Sequence, residues 1–410
     1  MVRRNKSSKK LDGVVSTLED KERAFLSIIL MNKGRVTGPR FKRIYLEKYT
    51  LWEMQKTEKK LMDMGLLLKE EGLKSGEALE FTIPRKYISI LSKSFSSKAP
   101  INPRKEQMDP ISMAPCGEYS ILWYLWQMDV NWDYRKLYPK QDQGVRSASK
   151  KRVEELLMME DDGIRFIKDT LEVLSSNIHI KGEGYKKWKD VLAHPHRMAK
   201  EIFKFTFDDL REEGGLGMGE VGKDNIDFFF EELAALKIEK WYSLESFVTN
   251  AKRTLFTAGQ PFRWIHFDAE GLWRIINSKL KLLGIVEIAE NQDKEKFLAL
   301  TKLGNYCLGG LSEKKFIKMM SLRRGKFMVH PNFEVTVVSK EINPKVLLKL
   351  AMFSEPTKLD TVSVFRITRE SVKGGICLGL IADEMLSFLE ENCKGTVPQN
   401  VDYSIKDWAG

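Results

Sequence analysis

Residues 217–224 read Gly-Met-Gly-Glu-Val-Gly-Lys-Asp, which imitates the spacing of a phosphate-binding loop. In such a loop, backbone amides and a lysine cradle phosphates, and a Ser or Thr hydroxyl after the lysine holds magnesium. Here Asp224 stands in the hydroxyl's place and sets a negative charge against the phosphates. The stretch before it, 208–215, is acidic and Gly-rich rather than a strand, so the segment reads as a flexible loop. Leu380-Ile-Ala-Asp383-Glu384 ends like a magnesium-holding strand but lies between Gly379 and a helical run at 385–391. Acids there suit the first turn of a helix, where the dipole favours negative charge. ATP hydrolysis is therefore not expected, and no cofactor is.

Other catalytic sets are equally incomplete. The histidines are His179, His194, His196, His266 and His330, and only His194-Pro-His196 forms a close pair. Pro195 favours an extended or turn segment there, and no carboxylate or thiol cluster completes a metal site. Asp161-Asp162 and Glu212-Glu213 sit in Gly-flanked stretches that read as solvated loops. The sequence has no Gly-x-Ser-x-Gly elbow. Cys116, Cys307, Cys377 and Cys393 are scattered and match no zinc spacing, so they read as reduced, buried thiols. The expectation is a non-enzyme without a metal.

Charge points elsewhere. Of a net +11, residues 1–100 carry 22 Lys and Arg against 12 Asp and Glu, while the other 310 carry 46 against 45. A positive field confined to one quarter of a chain is the footprint of a polyanion binder. A tail with Arg3, Arg4, Lys6, Lys9 and Lys10 supplies five of those cations. The longest apolar run, 25–31, is far short of the roughly 20 residues of a membrane helix. The basic N-terminus has no apolar run beside it and is no secretory signal. A cytoplasmic protein with no membrane contact is expected.

The elements that would position this charge follow from periodicity and caps. A helix over 18–32 has Ala24, Phe25, Ile28 and Ile29 on one face, with Ser16 or Thr17 as its cap. A second helix fits 39–48, with Pro39 in its first turn. Thr50-Leu-Trp-Glu53 is a capping-box sequence opening a third helix to Met64, stopped by Gly65. Its core face would be Leu51, Met54 and Leu61. Residues 66–68 and 78–83 read as strands around a turn at 74–77. Three helices and a hairpin make a winged helix-turn-helix, whose third helix enters the major groove of duplex DNA. Candidate DNA contacts are Arg40, Lys42, Arg43, Gln55, Lys56, Lys59, Lys60, Lys69 and Lys74. Most suit phosphate rather than bases, so weak sequence preference is expected. Protein docking by such a module stays open.

The fold class is mainly α, multi-domain with α+β character: tandem winged-helix modules and a small α+β C-terminal domain. The boundaries read as a disordered basic tail (1–16), a winged helix (17–95) and a Ser/Pro-rich linker (96–115). A helical, degenerate winged-helix domain (116–210), a winged helix (225–310) and the α+β domain (311–410) follow. The second of these opens on an aromatic helix near 118–128 and includes a helix at 149–159 and a short strand near His179. The last has strands within 326–338 and 362–367, a helix from Pro344, a helix capped by Thr368 and a final helix at 383–392, with Pro398 stopping anything further. Lys314, Lys315, Lys318, Arg323, Arg324 and Lys326 precede it as a basic run able to touch phosphate or to stay solvated.

In that last region Gly325-Lys-Phe-Met-Val-His-Pro-Asn-Phe-Glu-Val-Thr-Val-Val338, Val364-Phe-Arg-Ile-Thr-Arg-Glu-Ser-Val372, Val397-Pro-Gln-Asn-Val401 and Asp407-Trp408 resemble the conserved N-terminal domain of XPB-type helicases. The resemblance implies DNA repair or transcription as the setting. It also implies a docking unit rather than a motor, which in those helicases pairs with a like domain of a TFIIH subunit. Motor-free prokaryotic relatives look like tandem winged helices before this domain, and relatives usually continue beyond a point where this sequence stops, at Gly410. Phe333, Val335, Arg366, Thr368, Ser371 and Pro398 match the family pattern and look structural. Three readings follow: a non-enzymatic DNA-binding protein; a docking subunit that binds a helicase or other protein through 311–410; and, against the motif evidence above, an ATP-driven helicase-related activity.

Overall fold

The computed structural model describes residues 15, 17–70, 79–96, 103–104, 117–126, 166–167, 170, 193–213, 223–267, 269–338, 340–359 and 362–410. The basic tail apart from Val15, Lys74, most of the 96–115 linker, the helix expected at 149–159, the strand near His179 and the 217–222 loop lie outside them. The fold is mainly α, with small antiparallel sheets. Two compact units form, and neither is continuous in sequence. The first takes 1–103, 211–232 and 242–273; the second takes 104–210, 233–241 and 274–410. The stretch 225–310 thus contributes to both.

The first unit begins with α1 (Asp20–Met31). Its cap is Glu19, whose backbone N–H donates to the Glu22 carboxylate at 2.9 Å, rather than Ser16 or Thr17. Lys33, just past the C-terminal cap, has φ +61° and Gly34 φ +89°, and the Gly34 N–H donates to the Ile29 carbonyl, which closes the helix in a left-handed ending. A short strand β1 (Arg35–Thr37) leads into α2 (Gly38–Tyr45), then α3 (Leu51–Asp63), β2 (Leu68–Glu70) and β3 (Glu80–Thr82). The strands pair antiparallel in the order β1-β3-β2. The buried residues of the expected first strand, Leu66 and Leu67, precede β2, whose own residues are exposed. Phe25, Phe41, Tyr45 and Phe81 knit α1, α2 and β3 together, with Phe25–Phe41 ring centroids 4.2 Å apart and Phe41–Phe81 4.8 Å. Burial pushes the Tyr45 hydroxyl up to about 12. A helix not foreseen, α4 (Arg85–Ser96), packs on the helix Leu244–Thr257, where Phe95 meets Phe256 at 5.7 Å. Ser243 caps that second helix, its hydroxyl accepting from the Ser246 amide.

In the second unit, Ser120–Trp126 is a buried helix, so its aromatic residues Trp123 and Tyr124 serve the core. The helix Pro195–Glu213 runs through the acidic stretch at 208–213 that the sequence suggested was a loop. Strands β4 (Val286–Glu290) and β5 (Lys296–Leu300) form an antiparallel hairpin, and Trp241 packs on Ala289, Phe297 and Ala299. The C-terminal part holds four strands, not two: β6 (Met328–Val329), β7 (Glu334–Val338), β8 (Glu355–Lys358) and β9 (Val362–Arg366), in the order β6-β7-β9-β8. Val335, Val337, Ser363 and Phe365 face inward in period-two alternation. Four strands relieve the marginality of a lone pair, and Pro356 lies on the edge strand, where a missing N–H costs least.

Local signals at this end hold well. Asn343 caps the helix Pro344–Leu350 by accepting from the Lys345 amide at 2.9 Å. Thr368 accepts from the Ser371 amide at 3.0 Å and caps Arg369–Cys377. Pro398, expected to stop the chain's structure, is instead the residue before a further helix, Gln399–Ala409. Pro398 fits because a residue just outside a helix needs no intrahelical N–H bond. That helix brings Trp408 to Phe333, ring centroids 5.3 Å apart. Phe333 has φ +68°, a conformation side chains rarely adopt. It is held there by hydrogen bonds to His330 and from Ile367.

Candidate nucleic-acid interface

The Thr50 cap fixes where α3 begins and hence which residues face outward. Its hydroxyl accepts from the Glu53 amide at 3.3 Å, and the Thr50 amide donates to the Glu53 carboxylate at 2.9 Å. That bond from the Thr50 amide, and second a bond that the Thr50 hydroxyl donates to the same carboxylate at 3.0 Å, hold the Glu53 carboxyl below its usual range. Met54, Thr57 and Leu61 form the buried face. Leu51 does not join them and is 50% exposed, because it stands in the first turn beyond the edge of the core.

Opposite the core, Trp52, Gln55, Lys56 and Lys59 follow at spacings i, i+3, i+4 and i+7, one stripe of the helix. All four are exposed, Trp52 by 66%. The Lys56 Nζ stands 5.1 Å from the Trp52 ring centroid, close enough for a cation–π contact. On α2, Phe41, Ile44 and Tyr45 turn inward, which leaves Arg40, Lys42 and Arg43 exposed. Among the described residues, no ion pair engages these three, Lys56 or Lys59.

Two of the expected phosphate contacts are occupied. The Lys60 Nζ lies 2.5 Å from the Glu22 carboxylate and 3.4 Å from that of Glu19. Glu22 is 1% exposed, so Lys60 neutralises a buried charge and ties α3 to α1. The hydrogen bond to Glu22 raises the Lys60 pKa above its ordinary value. Lys69 on β2 pairs with Glu58 of α3 at 2.6 Å. The open set therefore reduces to Arg40, Lys42, Arg43, Gln55, Lys56 and Lys59, while Lys74 lies outside the described residues. Trp52 was missing from the expected set, although the wheel that selects Gln55 and Lys56 also selects residue 52.

The second unit spends its charges differently. Arg323 is 15% exposed and grips the buried Glu118 with both terminal nitrogens at 2.8 Å, and reaches Glu239 at 3.0 Å. Lys302 also bonds Glu239, at 2.7 Å. Burial pushes the Glu239 carboxyl up, but these two cations outweigh it and hold it below the usual range. Arg323 is thus not available to phosphate. His196 stands at a helix start, in the first turn of Pro195–Glu213, and is buried rather than on the surface, 2.8 Å from Glu313. Arg197 bonds the same carboxylate at 2.7 Å, and the hydrogen bonds from His196 and Arg197 lower the Glu313 pKa. Asp383 and Glu384 lie in the first turn of the helix Ala382–Asn392, as the sequence implies. Cys307 and Cys393 are buried, whereas Cys377 is exposed. Among the described residues, no three His, Cys, Asp or Glu gather to hold a metal ion, and no helix is long and apolar enough to cross a membrane.

One family model matches the chain, described as a helicase conserved C-terminal domain, over residues 327–410. The matched span runs from Phe327 through the four-stranded sheet to the final helix, so a helicase-associated domain occupies the end of the chain. The match is to a helicase C-terminal-type domain, not to the XPB-type N-terminal domain that the motifs resemble. No curated protein matches the chain.

Proposed function

We propose that this protein is a non-enzymatic DNA-binding protein that uses α2 and α3 as a winged helix-turn-helix and works alongside a helicase in DNA repair or transcription. The observation that carries the reading is the stripe on α3 with its neighbours on α2: Arg40, Lys42, Arg43, Lys56 and Lys59 are exposed and engaged in no ion pair among the described residues. The order helix, strand, helix, helix and paired strands supports it, because that is the arrangement in which a winged helix presents its third helix to the major groove. Lysine and arginine without carboxylate partners bind phosphate by releasing counterions. Gln55 is the best candidate for reading a base, by bidentate hydrogen bonding to adenine, and the cations around it suit phosphate, so sequence preference is weak. The setting rests on the helicase-type domain at 327–410 and on the resemblance of its motifs to the XPB type.

The test is a salt series of full-chain binding to duplex DNA. Five phosphate contacts give a log–log slope of roughly −4 to −5. A slope near zero, or no binding at low salt, overturns the reading. ATP turnover in the presence of DNA overturns its non-enzymatic part.

A second reading has its own support. The helicase-type domain presents an edge strand, β8, and an exposed Tyr403 on its last helix. Unpaired edge groups and exposed aromatic side chains suit protein docking. In this reading residues 311–410 bind a helicase subunit. Capture of that subunit by the full chain, surviving nuclease and lost on Tyr403→Ala, supports it; capture abolished by nuclease refutes it.

A further inference from the structure

The outward stripe of α3 contains a residue that phosphate binding does not need. Trp52 is 66% exposed, and Leu51 beside it is 50% exposed. Neither contributes to the core, which Met54, Thr57 and Leu61 already supply from the opposite face. On an uninterrupted duplex an indole has little to touch in the major groove beyond a thymine methyl. An unstacked base presents an open π-face, and stacking on an aromatic side chain is tolerant of base identity. Apolar side chains that enter a base step also kink the duplex.

The charge around Trp52 favours nucleic acid over protein as the occupant. Arg40, Lys42, Arg43, Lys56 and Lys59 are exposed, and the acids of the helix pair are largely occupied: Glu53 by Thr50 and Glu58 by Lys69. Glu47 and Asp63 remain exposed. Asp63 lies at i+4 from Lys59, in the last turn of the stripe, and confines phosphate contact to the earlier turns.

From this arrangement we infer that Trp52 stacks on an unpaired or unstacked base, and that the surface takes interrupted DNA in preference to a continuous duplex. The inference rests on the DNA-binding reading above and names its substrate class. Lys56, now over the indole, then turns to the phosphate beside the stacked base, while the α2 cations hold the flanking strand.

The experiment compares full-chain binding to a fully paired duplex and to the same duplex with a central unpaired stretch. The wild type is expected to prefer the interrupted probe by about ten-fold. Trp52→Ala brings that ratio close to one, and Trp52→Phe keeps most of it. Lys56→Ala with Lys59→Ala weakens both probes and leaves the ratio in place. Equal binding of both probes by the wild type, with normal salt dependence, overturns this inference and leaves the DNA reading standing. So does a Trp52→Ala protein that keeps the full ratio. Binding to neither probe defeats the DNA reading, and this inference with it.

Discussion

Two basic stretches of this chain look alike in sequence and differ in use. On α3 and α2, Lys60 is drawn to a buried carboxylate, and the remaining cations stay open around an exposed tryptophan. Around the helix Glu313–Ser321, Arg323 is drawn to a buried carboxylate, while Lys314, Lys315 and Lys318 stay exposed beside the aliphatic Ile317 and Leu322. Each stretch gives one cation to the interior. Only the first keeps an aromatic ring on the same stripe as its open lysines. The lesson is that a count of lysines and arginines describes a field, whereas the location of buried carboxylates decides which of them can meet a ligand.

The largest effect expected concerns Arg323. Its replacement by alanine leaves Glu118 buried without a counter-charge, and removing one partner of such a pair costs about 3–5 kcal/mol. The urea midpoint should fall sharply while DNA affinity at low denaturant is kept. A midpoint within error of wild type would mean that the Glu118–Arg323 grip contributes little and that Arg323 is a surface cation after all.

Lys60 sharpens the comparison inside a single helix, because Lys59 beside it is also exposed but engages no ion pair among the described residues. Lys60→Ala should lower thermal stability, since it strips the cation from buried Glu22, and should leave the salt slope of DNA binding unchanged. Lys59→Ala should do the reverse. If Lys60→Ala lowers the slope by about one unit, Lys60 is a phosphate contact and its bond to Glu22 is dispensable.

The smallest effect is in the cap. Glu53 has a depressed pKa in the folded protein, so its stabilisation is present above the unfolded carboxylate pKa of about 4.3 and is lost as pH falls through the lower folded value. Thermal melts of wild type and Glu53→Gln should differ at neutral pH and converge in acid. A difference that persists at the acid end would place the cap's contribution in something other than the Glu53 charge.

Much of this was legible from local chemistry. Thr50 and Thr368 cap helices where the sequence places caps, and Pro344 sits just inside a helix start. These signals work because the hydrogen bonds span three residues. The four-stranded sheet was not legible. Met328–Val329 is too short to show alternation, and Glu355–Lys358 is polar with a proline. The final helix was hidden because Pro398 stops one segment and precedes another equally well. Arg323 meets a partner 205 residues away, beyond the reach of any pattern along the chain. Trp52 was visible on the helical wheel, but a search for cations passes over it.

The most direct test sets the two basic stretches against each other. Salt-series titrations of the full chain with duplex DNA compare Lys56→Ala/Lys59→Ala with Lys314→Ala/Lys318→Ala. The first pair should reduce the slope by about two units, and the second should leave it unchanged. Loss of slope in the second pair alone would move the DNA surface to the other unit and contradict the assignment of α3.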